Sequence, residues 1–275
     1  MTLRLHLFWK ELVLFGPTLL IGVFSAYNSV PLIEKNIIEP PSFSWDGIVV
    51  ALAFIAIFML VTLRFKRLSG TMLRFFLILV VFSGSQIIIG SLVPSPWDLG
   101  LALFVVFIFM TVHNVLVHDV GIMLGIAGVS SILGVTITPE TGVGLLVVLS
   151  FYDILAVYWT KHMVYMAQGM IESGAIFGFV IPFDIRDIFY HKTEAKQKIG
   201  EKFMILGSGD IGLPLILTSS LAVVSIRQAT ITSIFALGGL FLTHLIFVNQ
   251  GARRPMAALP PIATLTIIGY LVSQL

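Results

Sequence analysis

The chain has 275 residues, of which 57% are hydrophobic and 11% charged, and its mean hydropathy is +1.03. Soluble globular domains do not carry that balance, so the sequence is that of an integral membrane protein. The net charge of +2 comes from basic residues confined to short stretches between apolar runs, which excludes a nucleic-acid surface, and the absence of cysteine excludes thiol nucleophiles, disulfides and thiolate metal sites.

Since about 20 apolar residues cross a bilayer core, the chain divides into spans near 11–29, 46–63, 71–93, 98–116, 119–137, 142–160, 203–226, 229–249 and 257–274. The first follows Arg4 and Lys10 and has no small-residue cleavage site, so it is expected to be a retained helix. Pro94, Pro96, Asp119 and Pro139 mark tight connections between the third and sixth spans. The fold class expected is an all-α polytopic membrane protein with nine transmembrane helices. Cytoplasmic loops collect Lys and Arg. With nine spans, 14 of the 16 basic residues fall on one side and only Lys35 and Arg227 on the other. That places the N-terminus and the polar segment 161–202 in the cytoplasm and the C-terminus outside. The whole of 1–275 reads as a single membrane-embedded domain, with spans one to six at about 11–160, the loop at 161–202, and spans seven to nine at about 203–274.

Of the 14 carboxylates, most lie in loops or at span ends, where solvation accounts for them. Glu11 and Asp119 fall at span edges and are expected to reach the interface or cap a helix. Asp153 and Asp210 remain. Asp153 stands eight residues before Lys161 and Asp210 eight after Lys202. On two antiparallel helices that spacing puts both acids roughly 12 Å below the lysines, at one depth. Acids at such depth pair or face a wet cavity. A pair able to share a proton suits an aspartyl protease, one carboxylate activating water and the other protonating the scissile carbonyl. The same pair also suits a proton or cation site in a transporter or channel, and depth does not choose between the two.

The local contexts are Tyr152-Asp153 and Gly207-Ser208-Gly209-Asp210. Gly207 and Gly209 lack a Cβ, so backbone or substrate can come close there, although spaced glycines also serve plain helix packing. These residues resemble the presenilin and signal peptide peptidase group of intramembrane aspartyl proteases, which carry YD in the sixth helix and GxGD in the seventh. The resemblance covers the nine-span layout and implies a presenilin-like fold with Asp153 and Asp210 as catalytic residues. The group's third motif, Pro-Ala-Leu before the ninth helix, stands here as Ala257-Ala258-Leu259 followed by Pro260 and Pro261. Tyr152, Gly207, Gly209, Ala257, Ala258 and Leu259 are the substrate-binding candidates the resemblance implies. It also implies transmembrane proteins or peptides as substrates, with no cofactor, no metal and no obligatory partner subunit. Homo-oligomers are compatible with it. The charge count matches the presenilin orientation, for which substrates have their N-termini outside. The short loop between spans six and seven is closer to a compact microbial homologue than to an animal presenilin.

The apolar stretch 175–183 is too short to span and is expected to lie at the interface. A second reading makes it, with Phe203 to Leu206, a strand edge for an unwound substrate. Ser208 and His244 do not make a rhomboid-type site, because Leu206 stands where that motif needs glycine, and His244 is expected to be packed or to face a cavity. His113 and His118 are five apart with no Glu between them, unlike a zinc protease HExxH. Prepilin-type peptidases share GxGD but usually have fewer spans.

Overall fold

The computed structural model describes residues 5–34, 66–160, 162–250 and 255–275. Helices α1 (Leu5–Glu34), α2 (Lys66–Gly90), α3 (Trp97–Thr111), α4 (Val115–Val135) and α5 (Pro139–Ile154) come first, and a π-helical turn, Leu155–Trp159, continues α5. The connecting segment folds into α6 (His162–Ser173), strand β1 (Gly178–Pro182), a 3-10 turn (Ile185–Phe189) and α7 (Lys192–Gln197). Strand β2 (Phe203–Gly207) then leads into α8 (Ser208–Val224), followed by α9 (Ile226–Val248) and α10 (Leu259–Ser273).

Local sequence sets the ends of these helices. The Asn114 side chain accepts the Val117 N–H at 2.8 Å and caps α4, and Thr138 caps α5 ahead of Pro139. Among the described residues, α1, α2, α4, α5 with its π turn, and α9 are long and apolar enough to cross a membrane, while α3, α8 and α10 are shorter apolar helices. These coincide with eight of the expected spans; the remaining one, 46–63, lies outside the described residues.

Two expectations are corrected. Residues 203–207 form a strand, so the seventh apolar run becomes helical only at Ser208. The stretch 175–183 is not an exposed anchor: every residue of β1 is buried, and β1 pairs antiparallel with β2 from Gly178 opposite Gly207 to Pro182 opposite Phe203. A short apolar segment cannot leave its backbone polar groups unpaired. Pairing with β2 serves one edge of β1. The other is met by side chains: Asp119 Oδ1 accepts the Val180 N–H at 2.8 Å, His118 Nε2 donates to the Gly178 carbonyl at 3.2 Å, and Lys10 Nζ donates to the Pro182 carbonyl at 2.9 Å.

The bundle packs around α8, which touches α1, α4, α5, α9 and α10. Its fully buried Ile211, Leu215 and Leu217 meet the same core as Phe15 and Leu19 of α1 and Ile262 of α10. Helices α2 and α4 cross backbone to backbone, so that a Cβ on Gly128 would lie 2.1 Å from the Gly84 carbonyl oxygen. Small residues let helices approach this closely in lipid. Gly128→Ala should therefore lower stability by roughly 1–3 kcal/mol, read as an earlier thermal unfolding transition in detergent. Gly144→Ala, where an added Cβ meets nothing within 4 Å, should not shift it.

Candidate active site

Asp153 is the penultimate residue of α5 and is 6% exposed. The π turn Leu155–Trp159 starts two residues later, with the Thr160 N–H donating to the Leu155 carbonyl at 2.9 Å. Such turns widen a helix and recur at functional sites; nothing in the sequence signals this one. Tyr152 is 52% exposed, on the outer side of the helix, away from the buried face that carries Asp153.

Asp210 reaches the site by another route. Gly207 is the N-cap of α8 in extended conformation, and Asp210 sits at the third helical position. Its carboxylate accepts the Gly207 backbone N–H, the bond that an acidic residue at this position makes in a capping box. Asp210 is half-buried. A Cβ on Gly207 would come 3.0 Å from Asp210 Oδ2, whereas one on Gly209 would meet open space. A side chain at Gly207 would press on the carboxylate of Asp210, and Gly209 leaves room beside it. Because 203–207 is extended, the constant helical rise does not run from Lys202 to Asp210, and equal spacing from two lysines was not the reason the acids meet.

They meet because α5 and α8 pack together, which brings the two carboxyl groups within coulombic range of each other. The third motif closes the site. Residues 255–258 are not helical, and Leu259 is the first residue of α10. Pro260 and Pro261 have no N–H to offer, so Leu259 carries the free N–H at the start of the helix. It donates to Asp153 Oδ2 at 3.3 Å. Thr243 of α9 donates to the Ala258 carbonyl at 3.3 Å and holds the segment from the other side. Ala257 and Leu259 are buried, and Ala258 is half-buried. Thr243 has no signature in the sequence, while the double proline was legible but its consequence was not.

Two span-edge acids behave otherwise than expected. Glu11 and Asp119 are 3% and 2% exposed, and neither reaches the interface. Glu11 Oε1 lies 2.9 Å from His244 Nδ1, joining α1 to α9, and Asp119 holds β1. His244 is indeed packed. His113 interacts through Nδ1 with the Thr111 carbonyl and stacks on His191.

A helical membrane bundle with an acid on each of two packed helices, one of them facing a backbone donor, carries the groups an aspartyl protease uses. The family described as "Signal-peptide peptidase, presenilin aspartyl protease" matches residues 44–275, and the chain belongs to it. It is similar to two solved structures of a presenilin family intramembrane aspartate protease. One, in space group C222, is 25% identical with a TM-score of 0.60 over 96% of this chain and 97% of that one. The other, in space group P2, is 27% identical with a TM-score of 0.60 over 94% of each chain. Among curated proteins nothing matches this chain. The protein is an integral multi-pass membrane protein with a presenilin-like fold and acts as an intramembrane aspartyl protease; nothing in these comparisons supports the transporter reading.

Proposed function

We propose that Asp153 and Asp210 are the catalytic pair and that the enzyme hydrolyses peptide bonds inside the membrane segments of single-span proteins. The observation that carries this is the convergence of Asp153, Asp210 and the Leu259 N–H from three helices, the first and last being 106 residues apart in sequence. With one proton shared between them, the ionised aspartate takes a proton from water as its oxygen attacks the scissile carbonyl carbon, and the protonated one donates to the carbonyl oxygen. The resulting gem-diol collapses as the C–N bond breaks. A gem-diol hydroxyl returns its proton to the aspartate that had protonated the carbonyl, the other aspartate gives its proton to the leaving amine, and the pair again holds one proton.

A helical peptide bond is shielded by its own helix, so the substrate must be unwound before attack. Strand β2 supports an edge for this. Val180 gives its N–H to Asp119, so the pair Val180 and Ile205 exchanges no ladder bond, and the N–H and carbonyl of Ile205 point away from β1. Phe203 is engaged by Lys198 and Gly200, and Gly207 by Asp210. Ile205 is therefore where an extended substrate pairs, two residues before Gly207. Gly207 and Gly209 flank the scissile bond, and Ala257, Ala258 and Leu259 line the opposite wall; Tyr152 contacts the substrate helix from the outer side. Ile205→Pro removes that N–H without touching the ladder to β1 and should lower kcat/KM about tenfold. An unchanged kcat/KM would remove the edge from the account.

The 14 to 2 split of basic residues supports a cytoplasmic N-terminus, a cytoplasmic 161–202 loop and an outside C-terminus. Substrates then have their N-termini outside. The whole chain works as one domain, needs no obligatory partner subunit and is compatible with homo-oligomers. The test is incubation of purified protein with a single-span substrate in detergent, with products located by mass. Cleavage within the membrane segment, competitively blocked by a peptide isostere bearing a tetrahedral hydroxyl, is expected. Cleavage insensitive to the isostere would speak against a water-activating pair.

A further inference from the structure

Where α2 begins and α3 passes into α4, the bundle contains a cavity of about 400 Å³. Arg74, Lys192, Lys196, His113 and His118 line it, and none of its lining residues is acidic. Arg74, Lys192 and Lys196 are engaged by neutral groups. Arg74 Nε donates to the Ser173 carbonyl at 2.8 Å, Lys196 donates to the Glu172 carbonyl, and Lys192 Nζ stands 5.5 Å over the Phe109 ring. Among the described residues none of them forms an ion pair with a carboxylate. Asp119 lies within coulombic range of Lys192 but is committed to the Val180 N–H. Burial, and then the Arg74 charge, bring the Lys192 ammonium down to about 8 despite Asp119.

His118 contributes ring surface to the wall and no accessible polar atom. A carbonyl only accepts, so Nε2 carries the proton given to Gly178, and Nδ1 is left as an acceptor, buried and without a hydrogen-bond partner. The surroundings are apolar and outward-facing: Phe75 and Phe107, with Met110 and Val112 of the cavity wall, are all exposed. Cations that converge without an anion, beside exposed apolar side chains, fit one ligand chemistry.

We propose that this cavity binds the headgroup of an anionic glycerophospholipid. Its phosphate lies among Arg74, Lys192 and Lys196, and the acyl chains run along the exposed apolar rim. A zwitterionic headgroup would bring a further cation into a site that already holds three. The site lies behind the catalytic sheet, on the wall from which His118 holds β1.

The test is native mass spectrometry of the purified full chain titrated with phosphatidylglycerol or phosphatidylcholine. The wild type should retain phosphatidylglycerol preferentially. K192Q/K196Q, and separately the exposed R74Q, should weaken that retention, the double variant about tenfold or more, with phosphatidylcholine unaffected. K198Q/K202Q removes the same charge from lysines stacked on Tyr190 outside the cavity and should retain the lipid as the wild type does. Equal retention of the two lipids by the wild type, or equal loss in K198Q/K202Q, overturns the proposal. Displacement of the lipid by inorganic phosphate at matched concentration also overturns it, by making a soluble anion the occupant. R74Q keeps the test decisive if the double variant does not fold.

Discussion

Asp153→Ala and Asp210→Ala should each reduce cleavage of a single-span substrate by at least about a thousandfold, since each removes one half of a general acid–base pair. The two losses should not add: once either aspartate is gone, water is neither activated nor the carbonyl protonated, and the double variant should be no slower than the worse single one. Asp153→Asn makes the sharper test. Its amide oxygen can still accept the Leu259 N–H, which Asp153 Oδ2 accepts at 3.3 Å, so α10 stays anchored and thermal unfolding should be unchanged while cleavage is lost. If either alanine variant cleaves at the wild-type rate, these aspartates are not the catalytic pair. A variant that loses activity and its unfolding transition together would have lost the fold instead, which is why both measurements are made.

Glu11→Ala should cost about 3–5 kcal/mol of stability, because it strips one partner from a buried polar pair while the other stays desolvated. Glu11 and His244 meet at 2.9 Å with side chains 3% and 0% exposed, and they tie α1 to the helix that carries Thr243. Denaturant unfolding in detergent would show the loss, and His244→Ala should show a similar one. Replacing both by leucine or methionine of similar volume should recover most of it, since an apolar pair needs no hydrogen bond. If the single variants unfold at the wild-type midpoint, the pair contributes no stability. Activity should fall with stability in the single variants and return in the double one, because neither residue is part of the catalytic pair.

Asp153 and Asp210 stood out because a carboxylate in an apolar run is costly, and their contexts, YD and GxGD, were readable without coordinates. Equal helical rise from the two lysines does not describe their placement, since Phe203 to Gly207 are extended and only three residues of α8 precede or include Asp210. The position of Glu11 and Asp119 at span edges suggests acids that reach the interface or cap a helix. Each is engaged inside the protein, by a residue far away in the chain, and no local pattern announces such a partner.

The membrane character, the helical spans among the described residues and the two candidate aspartates are legible without coordinates, because hydropathy and the cost of a buried charge act on every residue wherever the chain later packs. Only the tertiary structure decided that β1 and β2 pair, that Asp119, His118 and Lys10 seal one edge of that sheet, and that Leu259 gives its N–H to Asp153. These are contacts between segments distant in sequence. Each side chain was satisfied by a partner that packing alone could deliver, and hydropathy is blind to that choice.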